Sequence, residues 1–183
     1  TTALFTFHSE TLSTVDTSKE IKRILEIIGD SNINVLFTYA NSDDGGRVIN
    51  SEIEEFASKD KEKYLVVKSL GQLKYLSAMK HLDFVIGNTS SGIIEAASFQ
   101  KPVINIGSRQ KGRLQSGNVI NCEILKLKDG MKKITSNEFC KKVGDLKNIY
   151  GVGSASEKIV KILEFTKIST LKKFQDFNNK IIK

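Results

Sequence analysis

The chain has 183 residues, of which 39% are hydrophobic and 27% charged, the composition of a water-soluble domain with enough apolar mass for a core. Twenty-eight Lys and Arg against 21 Asp and Glu give a net charge of +7. No run approaches the roughly 20 apolar residues of a membrane span, and no cationic stretch followed by an apolar signal core opens the sequence. Cys122 and Cys140 have neither metal-ligand spacing nor the density of a disulfide scaffold, so a reducing cytoplasm is the expected setting and no metal or cofactor is expected. The basic residues alternate with acids on helix faces (Lys19, Glu20, Lys22, Glu26) and lack interleaved aromatics, which argues against a nucleic-acid partner.

Strand and helix signals alternate along the chain. Ala3–Phe7 is a short apolar strand. Thr17-x-x-Glu20 has the form of a capping box, Ile21, Ile24, Leu25 and Ile28 follow at helical spacing, and Gly29 falls where a left-handed helix end is expected. A second strand covers Asn34–Tyr39, the turn-rich NSDDGG loop covers Asn41–Gly46, and Ile49, Ile53 and Phe56 mark a helix. Tyr64–Lys68 is a third strand and Leu73–Lys80 a helix; Phe84–Gly87 is a fourth strand and Gly92–Phe99 a helix; Val103–Ile106 and Val119–Cys122 are the fifth and sixth strands. Asn137–Leu146, Ser156–Phe165 and Thr170–Ile182 read as helices. Such alternation implies right-handed βαβ units and a parallel sheet with helices on both faces, an α/β fold of Rossmann-like kind. Ligands in these folds bind beyond the carboxyl ends of the strands. That rule selects His8–Asp16, Ala40–Gly46, Ser69–Gly71, Gly87–Gly92 and Gly107–Gly117.

Within those loops, Gly87–Glu95 (GNTSSGIIE) places Thr89, Ser90 and Ser91 at a helix start, where free backbone N–H groups and hydroxyls suit an anion. One of the three hydroxyls is expected to cap the helix. Glu95 is four residues past Ser91 and so off capping-box spacing; it serves either as a first-turn acid or as the acceptor of a ribose diol. Gly107–Gly117 carries Arg109, Lys111 and Arg113, of which at least two are expected to reach one anion. His8 follows the first strand and can bond a phosphate or pass a proton, which makes it the one candidate catalytic residue; a packed loop histidine is the other reading. His81 closes a helix. GNTSSG is one residue off the nucleophile elbow, GVGSAS at 151–156 lacks a third glycine and reads as a turn capped by Ser154 or Ser156, and no P-loop is present.

Three segments carry a resemblance: Thr6-Phe7-His8-Ser9-Glu10-Thr11, Gly87-Asn88-Thr89-Ser90-Ser91-Gly92-Ile93-Ile94-Glu95-Ala96 and Pro102–Arg113. Together they resemble the hydrolysing UDP-N-acetylglucosamine 2-epimerases over residues 3–165, with Ser9 where the family usually has proline. The non-hydrolysing cousins differ at both later segments: Ser-Gly-Gly-Ile-Gln-Glu-Glu replaces Ser-Ser-Gly-Ile-Ile-Glu-Ala, and Thr-Glu-Arg-Pro-Glu replaces Arg-Gln-Lys-Gly-Arg. The resemblance implies the C-terminal half of a two-domain GT-B fold, with residues 1–166 binding UDP and 167–183 crossing towards an absent N-terminal domain. It implies elimination of UDP from a UDP-2-acetamido sugar with inversion at C2, then release of the free 2-epimer (N-acetylmannosamine or a relative) for sialic- or legionaminic-type cell-surface polysaccharide. His8 and Arg109 would approach the diphosphate, Thr89 and Ser90 hold phosphate, Glu95 hold the ribose, and Asn41 and the Leu70 backbone border the nucleotide. Arg113 joins the UDP-binding set. The catalytic carboxylates belong to the other half in this family, and the intact enzyme is expected to form a homo-oligomer. A GT-B UDP-sugar glycosyltransferase, a non-hydrolysing 2-epimerase and a non-catalytic nucleotide-binding module remain as alternative readings.

Overall fold

A computed structural model describes residues 1–10 and 16–167. The helix expected at Thr170–Ile182 and the 167–183 crossing segment therefore fall outside the described residues, Lys167 excepted. The chain divides into two compact units, Thr1–Gly151 and a second that begins at Val152.

Six strands form the first unit's sheet: β1 (Thr2–Thr6), β2 (Asn34–Thr38), β3 (Tyr64–Val67), β4 (Phe84–Gly87), β5 (Val103–Ile106) and β6 (Val119–Cys122). All neighbours pair in parallel, in the order β3-β2-β1-β4-β5-β6. This is the 3-2-1-4-5-6 order of Rossmann sheets, whose direction of winding reverses between β1 and β4. Helices α1 (Thr17–Gly29), α2 (Gly46–Ala57), α5 (Leu127–Ile134) and α6 (Asn137–Gly144) cover one face. There Phe5, Phe37, Ile86 and Ile104 pack with Ile21, Ile24, Ile28, Ile49, Ile53 and Met131. Helix α3 (Gly71–His81), the short α4 (Ser90–Ile94) and a 3₁₀ turn at Ala96–Phe99 cover the other, where Leu4, Val85 and Val103 meet Met79 and Ala96. Alternate residues of one strand thus feed two separate cores, each large side chain contributing about 1.5–3 kcal/mol on burial. The second unit carries α7 (Ala155–Phe165), with Ser154 at its N-cap position and no side-chain cap bond.

Three local expectations are corrected. Asp16, rather than Thr17, caps α1, its Oδ1 accepting from the N–H groups of Ser18 and Lys19. Gly29 is the last helical residue, not a left-handed terminus, and its bare Cα lets Phe56 of α2 lie close. Helix α4 starts two residues before the expected Gly92 and gives way to the 3₁₀ turn. Helix α5 falls in a stretch to which the sequence assigns no element, and its Gly130 lies against Ile104 and Cys122.

Gly87 ends β4 at φ +135°, and a Cβ there would stand 1.9 Å from the Thr6 carbonyl oxygen of β1. Only glycine allows β4 to leave the sheet this close to its neighbour. Gly87→Ala is expected to destabilise the domain by about 3 kcal/mol or more, read as a fall of roughly 6–12 °C in Tm. An unchanged Tm contradicts this.

Candidate nucleotide site at the β1–β4 crossing

The residues that follow β1, β4 and β5 meet at one place because of Asn88. This side chain is 0% exposed and lies directly beyond β4. Its Oδ1 accepts from the His8 N–H (2.8 Å) and its Nδ2 donates to the His8 carbonyl (2.8 Å), so the amide pairs with the backbone beyond β1 as another strand would. The Asn88 carbonyl in turn accepts from Arg109 Nη1 (3.2 Å) and Gln110 Nε2 (2.7 Å), both from the loop after β5. A second clasp acts from the β1 side. The Glu10 carboxylate accepts from the N–H groups of Ser108 (3.1 Å) and Arg109 (2.9 Å) and from Ser108 Oγ (2.9 Å).

His8 and Arg109 are thereby brought together, as expected from sequence. His8 Nδ1 accepts from the Asn41 N–H (3.1 Å), which leaves Nε2 to carry the ring proton. Burial lowers the His8 pKa from its ordinary value and the Arg109 charge lowers it further, against an opposing pull from Asp43. The imidazole is therefore a neutral N–H donor at neutral pH, and Arg109 supplies the cationic charge beside it.

Thr89 and Ser90 form the turn into α4, within two residues of Asn88. The expected serine or threonine cap is absent: Thr89 holds the N-cap position, but its Oγ1 turns to Ser91 Oγ (3.0 Å) instead of to a backbone N–H. With a single turn in α4, an anion here would rely on local N–H and hydroxyl groups, His8 and Arg109 more than on a helix dipole. Glu95 at the end of α4 is half-buried, and its buried Oε2 has no hydrogen-bond partner among the described residues. A carboxylate oxygen left without a donor is costly in a finished core, and it suits a site that receives hydroxyl donors from a ligand.

The other predicted residues lie around this centre to different degrees. Asn41 is exposed, its Nδ2 donating to Asp43 Oδ2 (2.5 Å), and its backbone touches His8. Leu70 sits at the N-cap of α3, beyond β3. Arg113 is exposed and goes elsewhere: with Lys111 and Lys126 it lines a cavity of about 790 Å³ beside the end of β6, away from Thr89 and Ser90. The loop between Arg109 and Arg113 turns at Gly112 (φ +84°), and Lys111 and Arg113 line the same cavity. Asn88, Glu10 and Gln110 escaped the sequence reading as site residues. Asn88 had one signal, a polar residue set straight after a fully apolar strand.

Among the described residues, no group of three or more His, Cys, Asp or Glu side chains is placed to hold a metal, and no helix is long and apolar enough to cross a membrane.

The sequence profile of the UDP-N-acetylglucosamine 2-epimerase family matches residues 1–164. The GDP/UDP-N,N'-diacetylbacillosamine 2-epimerase (hydrolyzing) of Campylobacter jejuni is 43% identical over 137 residues, 74% of this chain and 36% of that protein. The UDP-N,N'-diacetylbacillosamine 2-epimerase (hydrolyzing) of Legionella pneumophila is 31% identical over 153 residues, 82% and 39% of the two chains. In fold, the chain superimposes on the UDP-GlcNAc 2-epimerase of Neisseria meningitidis bound to UDP-GlcNAc with a TM-score of 0.69 at 18% identity, over 89% of this chain and 44% of that one. The chain thus spans well under half the length of these relatives.

The double bond to the His8 backbone gives a direct expectation. Asn88→Ala leaves a buried N–H and carbonyl without partners, which should cost about 2–4 kcal/mol. Urea denaturation measures it, and a loss below about 1 kcal/mol would mean that water replaces the amide.

Proposed function

The chain belongs to the UDP-N-acetylglucosamine 2-epimerase family, and from that premise we propose that it is the C-terminal, UDP-binding half of a hydrolysing 2-epimerase of GT-B arrangement. The substrate is a UDP-2-acetamido sugar. UDP is eliminated, water adds to the resulting glycal, and the 2-epimer leaves as the free sugar. The hydrolysing N,N'-diacetylbacillosamine 2-epimerases of Campylobacter and Legionella, to which the chain is similar, support the hydrolysing branch and a diacetylated substrate.

One observation carries the reading: Asn88 joins His8 and Arg109 across the sheet's switch point. In this assignment the diphosphate lies against Arg109, the His8 Nε2–H and the Thr89–Ser90 turn. Glu95 takes the ribose hydroxyls, and Asn41 and the Leu70 backbone flank the base. As the bond from C1 to the diphosphate oxygen breaks, negative charge gathers on the leaving group, where Arg109 and His8 are already oriented to stabilise it. Arg113, which lines the cavity beside β6 with Lys111, is assigned to the sugar side of the nucleotide. The proton-transferring carboxylates reside in that half, so the 183-residue chain alone binds UDP without turning substrate over.

Calorimetric titration tests this. UDP should bind more tightly than UMP. Arg109→Ala should weaken UDP roughly 10- to 100-fold, the scale of a charge-assisted bond, and Ser90→Ala several-fold. Binding indifferent to both substitutions contradicts the assignment. The His8 pKa adds a sign. It is lowered in the free domain and a nearby diphosphate raises it, so His8 takes up a proton on binding and affinity rises as pH falls through the range in which the bound imidazole titrates. UDP has its own phosphate titration, so the difference between wild type and His8→Gln isolates the effect. Equal pH dependence in the two would exclude His8 from the anion.

A further inference from the structure

Behind the Thr89 turn runs a single file of hydroxyl groups. Thr89 Oγ1 lies 3.0 Å from Ser91 Oγ, and Ser91 Oγ 2.7 Å from the Tyr75 hydroxyl. The Tyr75 hydroxyl is 3.4 Å from Thr6 Oγ1, which is 2.6 Å from Thr38 Oγ1. Thr38 Oγ1 can donate onward to the Phe5 carbonyl at 3.3 Å. Thr6 and Thr38 are register partners closing β1 and β2, 5% and 6% exposed, and Tyr75 projects from α3 between them and α4. The file thus runs from the buried sheet edge to the turn assigned to phosphate.

Each of the five hydroxyls has one proton, and in each link either oxygen can donate. Two arrangements satisfy every link. In the inward one, Thr89 donates to Ser91, Ser91 to Tyr75, Tyr75 to Thr6, Thr6 to Thr38 and Thr38 to the Phe5 carbonyl; Thr89 then offers only lone pairs at the turn. In the outward one each bond reverses, the bond to Phe5 is given up, and Thr89 has its proton free. Any mixture leaves one link either with no proton or with two protons facing each other. An anion at the turn is stabilised by the outward arrangement and repelled by the inward one.

We propose that Tyr75 is a positioning residue for the anion site: as the central link, it couples Thr89 and Ser91 to Thr6 and Thr38, so that the file turns outward as a unit when a phosphate binds. The inference rests on the diphosphate assignment above. It adds that the donor power of the Thr89 turn is set by a tyrosine that does not touch the ligand and by a threonine beyond it.

The test is a calorimetric titration of the 183-residue chain with UDP and with uridine, for wild type, Tyr75→Phe and Thr38→Val, with thermal melts to confirm folding. Tyr75→Phe cuts the file and removes the donor behind Ser91; UDP affinity should fall roughly tenfold, the scale of one charge-assisted hydrogen bond, with uridine affinity unchanged. Thr38→Val removes the inward acceptor, so Thr6 can donate only to Tyr75 and the file is preset outward. UDP affinity should then rise about two- to fivefold, a fraction of one hydrogen bond's worth. Opposite signs distinguish proton orientation from plain structural support, which would weaken both. If wild type binds UDP and Tyr75→Phe binds it equally well, or Thr38→Val does not tighten it, the inference is overturned while the site assignment stands. If folded wild type does not bind UDP, the assignment itself fails and this inference with it.

Discussion

The site depends on one buried asparagine. Both ends of the Asn88 side chain are spent on the backbone of His8, and its carbonyl holds Arg109 and Gln110. A parallel sheet leaves its strand ends splayed, and each following loop would otherwise settle independently. Asn88 extends the β1–β4 pairing one residue past the last ladder bond and fixes the β5 loop in the same stroke. A buried amide of this kind is tolerable only when fully satisfied, and here its donor and its acceptor both are.

Holding and binding are thereby assigned to different groups. Asn88 and Glu10 grip main-chain atoms, which leaves the His8 ring and the remaining donors of Arg109 available. The carboxylate of Glu10 lies near the cation yet is occupied by two N–H groups and a hydroxyl of the β5 loop, so it acts as a loop clamp. Burial keeps His8 neutral until a second charge arrives. A leaving diphosphate would meet a site whose donors are ordered beforehand, which is the condition under which electrostatic stabilisation is effective.

Much of the fold was legible in the residues. Strands β4, β5 and β6 agree with the predicted runs to the residue; β4 and β5 are buried throughout, while β6 is a partly exposed edge strand. Helix α5 was not legible, since Gly130 signals a turn locally and earns its place only by packing on Ile104. The same contrast holds in the site. The strand-end rule found the loops carrying His8, Thr89 and Arg109, whereas Asn88 and Glu10 act on partners 80 and 98 residues away and leave no local spacing to read. For the expectation that at least two of Arg109, Lys111 and Arg113 reach one anion, Lys111 and Arg113 are a candidate pair, since both line the cavity beside β6.

The central claim is that a nucleoside diphosphate is gripped at the β1–β4 crossing. A crystal structure of the protein with UDP tests it most directly. The account predicts diphosphate oxygens within hydrogen-bond reach of Arg109, His8 Nε2 and the Thr89–Ser90 turn, with the ribose diol on Glu95. A diphosphate seated instead among Lys111, Arg113 and Lys126, in the cavity beside β6, would contradict it.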